Sequence, residues 1–301
     1  MGNKSKTACL HSIVAAMVGA DEKLGPDRNW RPGGPIEKRI EFLQEYFPGC
    51  KEDIAELGEK IIKSLASQNH NELNNFLKEN GFDPQFRPIG EDELGLVGIL
   101  DLLVEWVKEG KVVGIIANAQ RFPAVKMKKS VDIWRAAGAI EPVVCIDTKQ
   151  DFKVYMTVCS APHDSDNVMD IVTFAKDIQD SFPHSEIHPD YEGVVFPMVD
   201  VNQVVELPWC CGLETYDEGG TLWTVTSAVQ QNKFRMNQFG ARAQSATSMM
   251  IARCLADERK PEYIVDRPFL LWVSRGDMEF PLFVAHVGYG DWKDPGDITV
   301  A

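Results

Sequence analysis

The sequence predicts an α+β fold in which helices come first and sheets follow. Two observations carry this. Up to Gly110 apolar residues recur at intervals of three and four, the period of a helix with one buried face; beyond it they cluster in short β-branched runs between turn residues. No internal repeat, low-complexity tract or Pro/Ser-rich linker divides the 301 residues. One domain is therefore expected, mainly helical over 1–110 and mainly β over 111–301.

The elements follow in order. Pro35 opens a segment in which Ile36, Ile40, Leu43 and Phe47 keep helical spacing, and Pro48-Gly49 is expected to close it. Ile54, Leu57, Ile61 and Leu65 define a second helix, and Asn71 to Asn80 a third, with Gly81 as its stop. Glu91 to Lys108 is the most apolar segment, with Leu96, Ile99, Leu100, Leu103 and Val107 on one helical face. Strands are expected at Val112–Ala117, Val143–Ile146 and Phe152–Cys159. One more helix fits Val168–Ile178, capped by Asp164 or Asp166. The remaining strands are Val194–Val201, Thr221–Val229, Phe269–Ser274 and Leu282–Val287.

Charge narrows the partners. With 31 Lys+Arg against 45 Asp+Glu the net charge is −14, and there is no basic run. Such a chain is a poor ligand for nucleic acid or an anionic membrane surface. No apolar stretch reaches 18 residues, so no membrane-spanning helix is expected. Seven cysteines, odd in number, scattered and without a CxxC, point to a reducing, cytoplasmic setting. Lys4 and Lys6 ahead of the run Ala8–Ala20 resemble a signal peptide, but His11 and Ser12 interrupt it; secretion is the lesser expectation. Met1-Gly2 lacks the Ser or Thr that myristoylation wants at position 6, which is Lys6.

Enzyme signatures are absent: no G-x-S-x-G, no P-loop, no H-E-x-x-H. Gly288-Tyr-Gly290 follows the last strand and lacks the third glycine of a dinucleotide fingerprint. One cluster stands out. His163, His184 and His188 lie close in sequence with Asp164, Asp166 and Glu186, and in an extended segment His184, Glu186 and His188 share one side. The cluster reads either as a metal centre or, with no recognised ligand spacing, as a polar loop, which is the expected reading. Cys210-Cys211 beside Trp209 reads as packed core rather than a redox pair. No catalytic residue, metal or cofactor is expected.

The informative stretch starts at Gly240. Ala241, Ala243, Ser245 and Thr247 are small, while Arg242 and Gln244 between them are long and polar. At period 2 that gives one narrow face and one solvated face, which suits a strand able to slide between two others. The same residues include good helix formers, so from them alone a helix stands equally open.

The flanks resemble a family. Asn237-Gln-Phe-Gly240 before the segment, Val265-Asp-Arg-Pro-Phe269-Leu-Leu-Trp-Val273 after it, and Phe280-Pro-Leu-Phe-Val-Ala-His-Val287 resemble the C-terminal half of a serpin. Val194-Val-Phe-Pro197 is similar to the strand before the family's hinge strand, and Leu207-Pro-Trp-Cys-Cys-Gly-Leu213 to its short helix. The resemblance covers 194–288; His11-Ser-Ile-Val-Ala-Ala-Met and Ile115-Ile-Ala-Asn118-Ala extend it faintly upstream, to the family's core helix and a central strand.

What the resemblance implies is a single-domain serpin fold, with N-terminal helices packed on large mixed sheets and an exposed reactive loop at about 248–262. The protein would be a monomeric protease inhibitor rather than an enzyme. A protease would cut the loop as a suicide substrate, and the freed segment would insert as a strand. Gly240, Ala241, Ala243, Ser245 and Thr247 would then be the hinge, with the scissile bond among Arg253, Cys254 and Leu255. Arg253 before the bond implies a trypsin-like serine protease, whose pocket acid pairs with a guanidinium; Cys254 there implies a smaller-pocketed one, and a cysteine protease is the further possibility. Three departures stand against the pattern: Gln238 replaces the hinge acid, Gln230 replaces a histidine of the hinge strand, and the run from Phe196 to Gly240 is short, as if trimmed after Gly212. The alternatives are a non-inhibitory serpin-like binding or structural protein, and a metal-dependent enzyme using the His163–His188 cluster.

Overall fold

The run Phe269-Leu-Leu-Trp-Val273 decides the centre of the molecule, because all five side chains are buried and a strand apolar on both faces needs both covered. The fold comes from a computed structural model that describes residues 4–34, 36–58, 61–83, 86–90, 93–136, 139–159, 168–182, 185–241 and 260–298. In it β19 (Phe269–Arg275) pairs antiparallel with β10 (Phe152–Val158) on one side and β20 (Phe283–Val287) on the other. Beyond β20 lies β1 (Lys6–Ala8). Beyond β10 follow β9 (Val143–Asp147), β8 (Val131–Arg135) and β11 (Glu186–Ile187), seven strands in all. Leu270, Trp272 and Val284 pack under helices α1 (Leu10–Gly19) and α6 (Val168–Asp180). Phe269, Leu271 and Val273 face the opposite core.

That second core is closed by a four-stranded sheet. β6 (Lys111–Ala117) and β7 (Gln120–Met127) form a hairpin through Asn118 and Ala119, both at positive φ, the backbone of a tight two-residue turn. β12 (Val194–Pro197) pairs antiparallel with β7, and β18 (Tyr263–Ile264) pairs parallel with β12. Another sheet has the order β13 (Val199–Glu206), β16 (Val229–Met236), β17 (Gly240–Ala241), β5 (Val104–Glu105). Beside it, β3 (Ile62–Ser67) and β4 (Gly95–Leu100) form a two-stranded ladder, crossed by α5 (His70–Glu79), whose Leu73 and Leu77 pack with Val97 and Ile99. β2 (Arg31–Pro32), β14 (Leu213–Tyr216) and β15 (Leu222–Thr224) make a small outer sheet, so the segment after Gly212 is a short hairpin. The remaining helices are α2 (Asp21–Leu24), α3 (Glu37–Glu41) and α4 (Phe47–Leu57).

Several sequence expectations hold: the helices at Asn71–Asn80 and Val168–Ile178, and the strands at 112–117, 143–146, 152–159, 269–274 and 282–287, each to within two residues. Others fail for physical reasons. Pro48-Gly49 does not end the first helix. A wide π turn at Phe42–Tyr46 joins α3 to α4 and leaves Pro48 in the first turn of α4, where a missing N–H costs nothing. Leu65 lies in β3 and Ile61 in the turn just before it, and within 93–108 the chain forms β4 and β5 rather than a helix. Gly95 and Gly98 weaken a helix there, and Gly98 meets α1 so closely that a β-carbon would collide with the Ser12 carbonyl. The first 110 residues are thus less helical than their spacing suggests. Val194–Val201 breaks at Met198 and contributes to two different sheets. Thr221–Val229 is a strand at Leu222–Thr224, and its last residue, Val229, begins β16. The strands at Gln120–Met127 and Val131–Arg135 have no counterpart among the expected ones.

Candidate functional site

The site is built on β16, whose residues alternate cleanly. Gln230, Asn232, Phe234 and Met236 are buried, while Gln231, Lys233 and Arg235 look outward. Two of the buried residues are polar, and polar groups out of water need partners. Gln230 donates through Nε2 to the Cys9 carbonyl at 2.7 Å and to Ser12 Oγ at 2.8 Å, both at the start of α1. Asn232 donates through Nδ2 to Gln230 Oε1 and Thr7 Oγ1, at 2.8 and 2.9 Å. Thr7 donates onward to Gln203 Oε1, and Gln203 to the Ser5 carbonyl. Gln230, where the resemblance expects a histidine, thus ties β16 to α1.

At its end β16 turns sharply. Asn237 Oδ1 accepts from the Phe239 N–H at 3.0 Å, and the Asn237 N–H donates to the Gly240 carbonyl at 2.9 Å, an Asx-stabilised turn. The fully buried Trp106 holds it from below: its indole N–H donates to the Asn237 carbonyl at 2.9 Å and its backbone N–H to the Phe239 carbonyl at 3.0 Å. Gln238, in the place of the hinge acid, is held through its carbonyl by the Gly110 N–H at 2.8 Å. The turn delivers Gly240 and Ala241 back between β16 and β5, with Met236 opposite Ala241, and Glu105 and Val104 opposite Gly240 and Ala241. β5 approaches so closely that any β-carbon on residue 240 would strike the Val104 carbonyl, hence glycine.

Below this junction the sheet is not closed. β4 pairs only with β3, and β16 pairs only with β13 apart from the single rung at Met236, so among the described residues each presents a strand edge without a ladder partner. The link between α5 and β4 reaches onto the outer face of β16. Lys233 Nζ donates to the Gly81 carbonyl and lies 5.4 Å from the Phe82 ring centre; Gln231 exchanges two hydrogen bonds with Asp83, at 2.7 and 2.9 Å.

The opposite end of the Gly240–Pro261 segment is anchored separately. Tyr263 N–H donates to the Gly193 carbonyl at 2.8 Å and Val265 N–H to the Val195 carbonyl at 2.9 Å. Glu262 accepts from Lys126 and Lys128 at 2.7 and 2.8 Å, which holds its carboxyl down to about 2. Of the expected hinge and scissile residues, Gly240 and Ala241 lie in β17. Ala243, Ser245, Thr247, Arg253, Cys254 and Leu255 lie outside the described residues.

The other sequence candidates separate. His188 packs on Tyr191 with ring centres 4.8 Å apart and lies 3.9 Å from Asp190, and Glu186 is exposed on β11. His163, His184, Asp164 and Asp166 are outside the described residues, among which no group of three or more His, Cys, Asp or Glu could hold a metal ion. Trp209 and Cys210 are buried in a 3-10 turn at Pro208–Cys210, as the packed-core reading expects, while Cys211 is only half-buried. Burial pushes the Cys145 thiol up to about 12 and Cys159 up to about 11, so neither is poised as a nucleophile. The buried chain from Ser12 through Gln230 and Asn232 to Gln203 was not foreseen; the one signal was three polar residues, Gln230-Gln-Asn232, entering a strand.

No family model and no curated protein matches the chain. Solved structures do match in shape. Serpin48, a highly specific serpin of the insect Tenebrio molitor, shares 13% identity at a TM-score of 0.58, over 95% of this chain and 92% of its own. Human thyroxine-binding globulin, complexed with its hormone, gives 11% identity and a TM-score of 0.61, over 97% and 93%. Mouse protein-Z dependent protease inhibitor gives 12% and 0.59, over 95% and 91%. These likenesses in shape extend over nearly the whole length of each molecule: the chain has a serpin fold.

Proposed function

We propose that this protein is a serpin-type protease inhibitor that acts once, by loop cleavage and strand insertion. The observation that carries the reading is the position of Gly240–Ala241 between β16 and β5, in a molecule where β16 and β4 each keep an edge with no ladder partner among the described residues. Such an edge is a row of N–H and C=O groups that a further strand satisfies. The small-residue alternation from Ala241 to Thr247 suits such a strand, since only narrow side chains would turn toward the core. The similarity in shape to a protein-Z dependent protease inhibitor agrees with it.

In this scheme a trypsin-like serine protease recognises Arg253. Its serine Oγ attacks the Arg253 carbonyl, the bond to the Cys254 nitrogen breaks, and that nitrogen leaves as an amine carrying the proton taken from the serine. The ester left on Arg253 is then drawn away as the segment after Ala241 enters the sheet. The test is incubation with trypsin. A protein–protease adduct surviving SDS is expected, and loop cleavage should raise the melting temperature by about 10 °C or more, the size of several kcal/mol of added strand. Ala243→Glu should abolish the adduct while leaving the uncut protein folded, because its charge is buried only on insertion.

A second reading has its own support. The bonds from Lys233 and Gln231 to Gly81 and Asp83 strap the outer face of β16 to the α5–β4 link, which suits a scaffold that never opens. That protein would be a serpin-fold binding protein. Clean cleavage with no adduct and an unchanged melting temperature would decide for it.

A further inference from the structure

We propose that the outer edge of β6 is a docking site for an extended acidic segment of a partner protein, added as a further strand. The inference rests on β6 alone and does not depend on loop insertion.

Edge strands are usually guarded by shortness, charge, proline or a bulge. Most outer strands of this protein obey. β1, β11, β15 and β18 have three residues or fewer, and the longer β13 carries Asp200, Asn202, Gln203 and Glu206. β6 is different. Its seven residues, Lys111-Val-Val-Gly-Ile-Ile-Ala117, contain one charge, at the end, and neither proline nor bulge. Apart from the ladder to β7, no backbone hydrogen bond reaches 111–117 among the described residues, so alternate N–H and C=O groups point away from the sheet unmet. Val112 and Ile116 on the outward face are 54% and 79% exposed, unusual for β-branched residues in register on one strand.

The occupant is read from charge. Between Trp106 and Val131 the chain has six Lys or Arg residues and one Glu, in a protein of net charge −14. Lys126 and Lys128 are held by Glu262 and Glu192; Lys111 and Arg121 have no ion pair among the described residues. Arg121 sits opposite Ile116 on β7 yet leans back over β6. A β-carbon on Gly114 would lie 2.8 Å from its Nε and 3.4 Å from its Cζ. The missing side chain at Gly114 lets the guanidinium lie over β6 at Gly114, the outward-facing position between Val112 and Ile116. An added strand places its side chains opposite those of β6 at about 4.8 Å spacing. The recognition pattern is therefore an Asp or Glu opposite Gly114, flanked two residues away on either side by Val or Ile: apolar-x-acid-x-apolar in an extended chain.

The probe is a fluorescent capped peptide, Thr-Val-Thr-Glu-Thr-Val-Thr, read by anisotropy at low and high salt against the full chain. Saturable binding that weakens with salt is expected, with slowed hydrogen exchange confined to 111–117. Arg121→Glu should weaken it roughly fivefold, and a Lys-centred peptide should recover about that factor on the same variant. Ile116→Lys should also weaken it with an unchanged melting temperature. N-methylation at alternate amides should abolish binding, since it removes the edge hydrogen bonds. The proposal is overturned if no binding occurs up to millimolar peptide, or if the N-methylated peptide binds as well. It is overturned too if binding ignores the Arg121→Glu exchange. A dimer that Ile116→Lys disperses would instead assign the edge to a second copy of this chain.

Discussion

The seven-stranded sheet and the sheet carrying β16 are built from similar residues but finished differently. In the first, β19 is flanked on both sides by full ladders and covered on both faces, and its polar atoms are few. In the second, β16 has one full ladder, a single rung at Met236, and a floor of hydrogen-bonded amides where the first sheet has apolar side chains. Stability is complete in one and held back in the other. The second sheet leaves edges of β4 and β16 without ladder partners among the described residues, and the buried amides of Gln230 and Asn232 fix the register of β16 without bulky side chains.

The largest effect should come from the completed sheet. Trp272 is fully buried, stacks on Tyr155 with ring centres 5.1 Å apart, and donates its indole N–H to Gln179 of α6. Trp272→Ala removes all of that and leaves a cavity, at about 3–5 kcal/mol. Urea unfolding checks it. A loss below about 1 kcal/mol would mean that this sheet is not the stable body the comparison takes it to be.

Next comes the amide floor. Gln230→Ala deprives Ser12, the Cys9 carbonyl and Asn232 of a partner at once, and should cost about 1–3 kcal/mol. The distinguishing result is where the loss falls: amide exchange should accelerate first in α1 and β16 while the amides of β10 and β19 stay protected. Uniform acceleration would show one cooperative body and erase the contrast.

How much of this was legible in the sequence follows the same division. Phe269–Val273 and Phe283–Val287 are read correctly because a strand buried on both faces must be almost wholly apolar, and nothing else explains five such residues before a charge. Small residues stand at Gly240 and Ala241, where the chain passes between β16 and β5 and a β-carbon on residue 240 would strike the Val104 carbonyl. The β3–β4 ladder was not legible. Leu96, Ile99, Leu100 and Leu103 carry helical spacing by coincidence, and β4 takes shape from long-range contacts with α1 and α5 that local periodicity does not encode. The floor was hidden for a related reason: Gln230 and Asn232 look like surface residues until Cys9, Ser12 and Thr7, more than two hundred residues away, supply their partners.

A smaller effect belongs to the anchor that fastens β18 to the closed side. Glu262 is held by Lys126 and Lys128 at about 2, below an ordinary 4.5. A carboxyl whose folded value is depressed stabilises the fold above its unfolded value and loses that contribution as the pH falls through the folded one. Stability attributable to this pair should therefore be full above about pH 4.5 and gone near pH 2, worth about 1 kcal/mol because the groups are part-exposed. Glu262→Gln should flatten that part of the acid limb and change little at pH 7 beyond the same increment. An unaltered acid limb would mean that the lysines do not hold the anchor.

The smallest effect on overall stability, and the most discriminating, should come from the strap over the gap. Lys233→Ala with Gln231→Ala removes the bonds to Gly81 and Asp83, which are part-exposed and worth about 0.5–1 kcal/mol together. If the gap between β4 and β16 is a slot under restraint, the double variant should insert its cut loop faster, read as more adduct per cleavage, although its melting temperature before cleavage barely changes. If the gap is a fixed feature of a binding scaffold, the same variant should lose a little stability and gain nothing, because no strand is waiting behind the strap. Under the first outcome the two regions would differ in more than finish: only one of them would have a second state to reach, and the strap would set how readily it is reached.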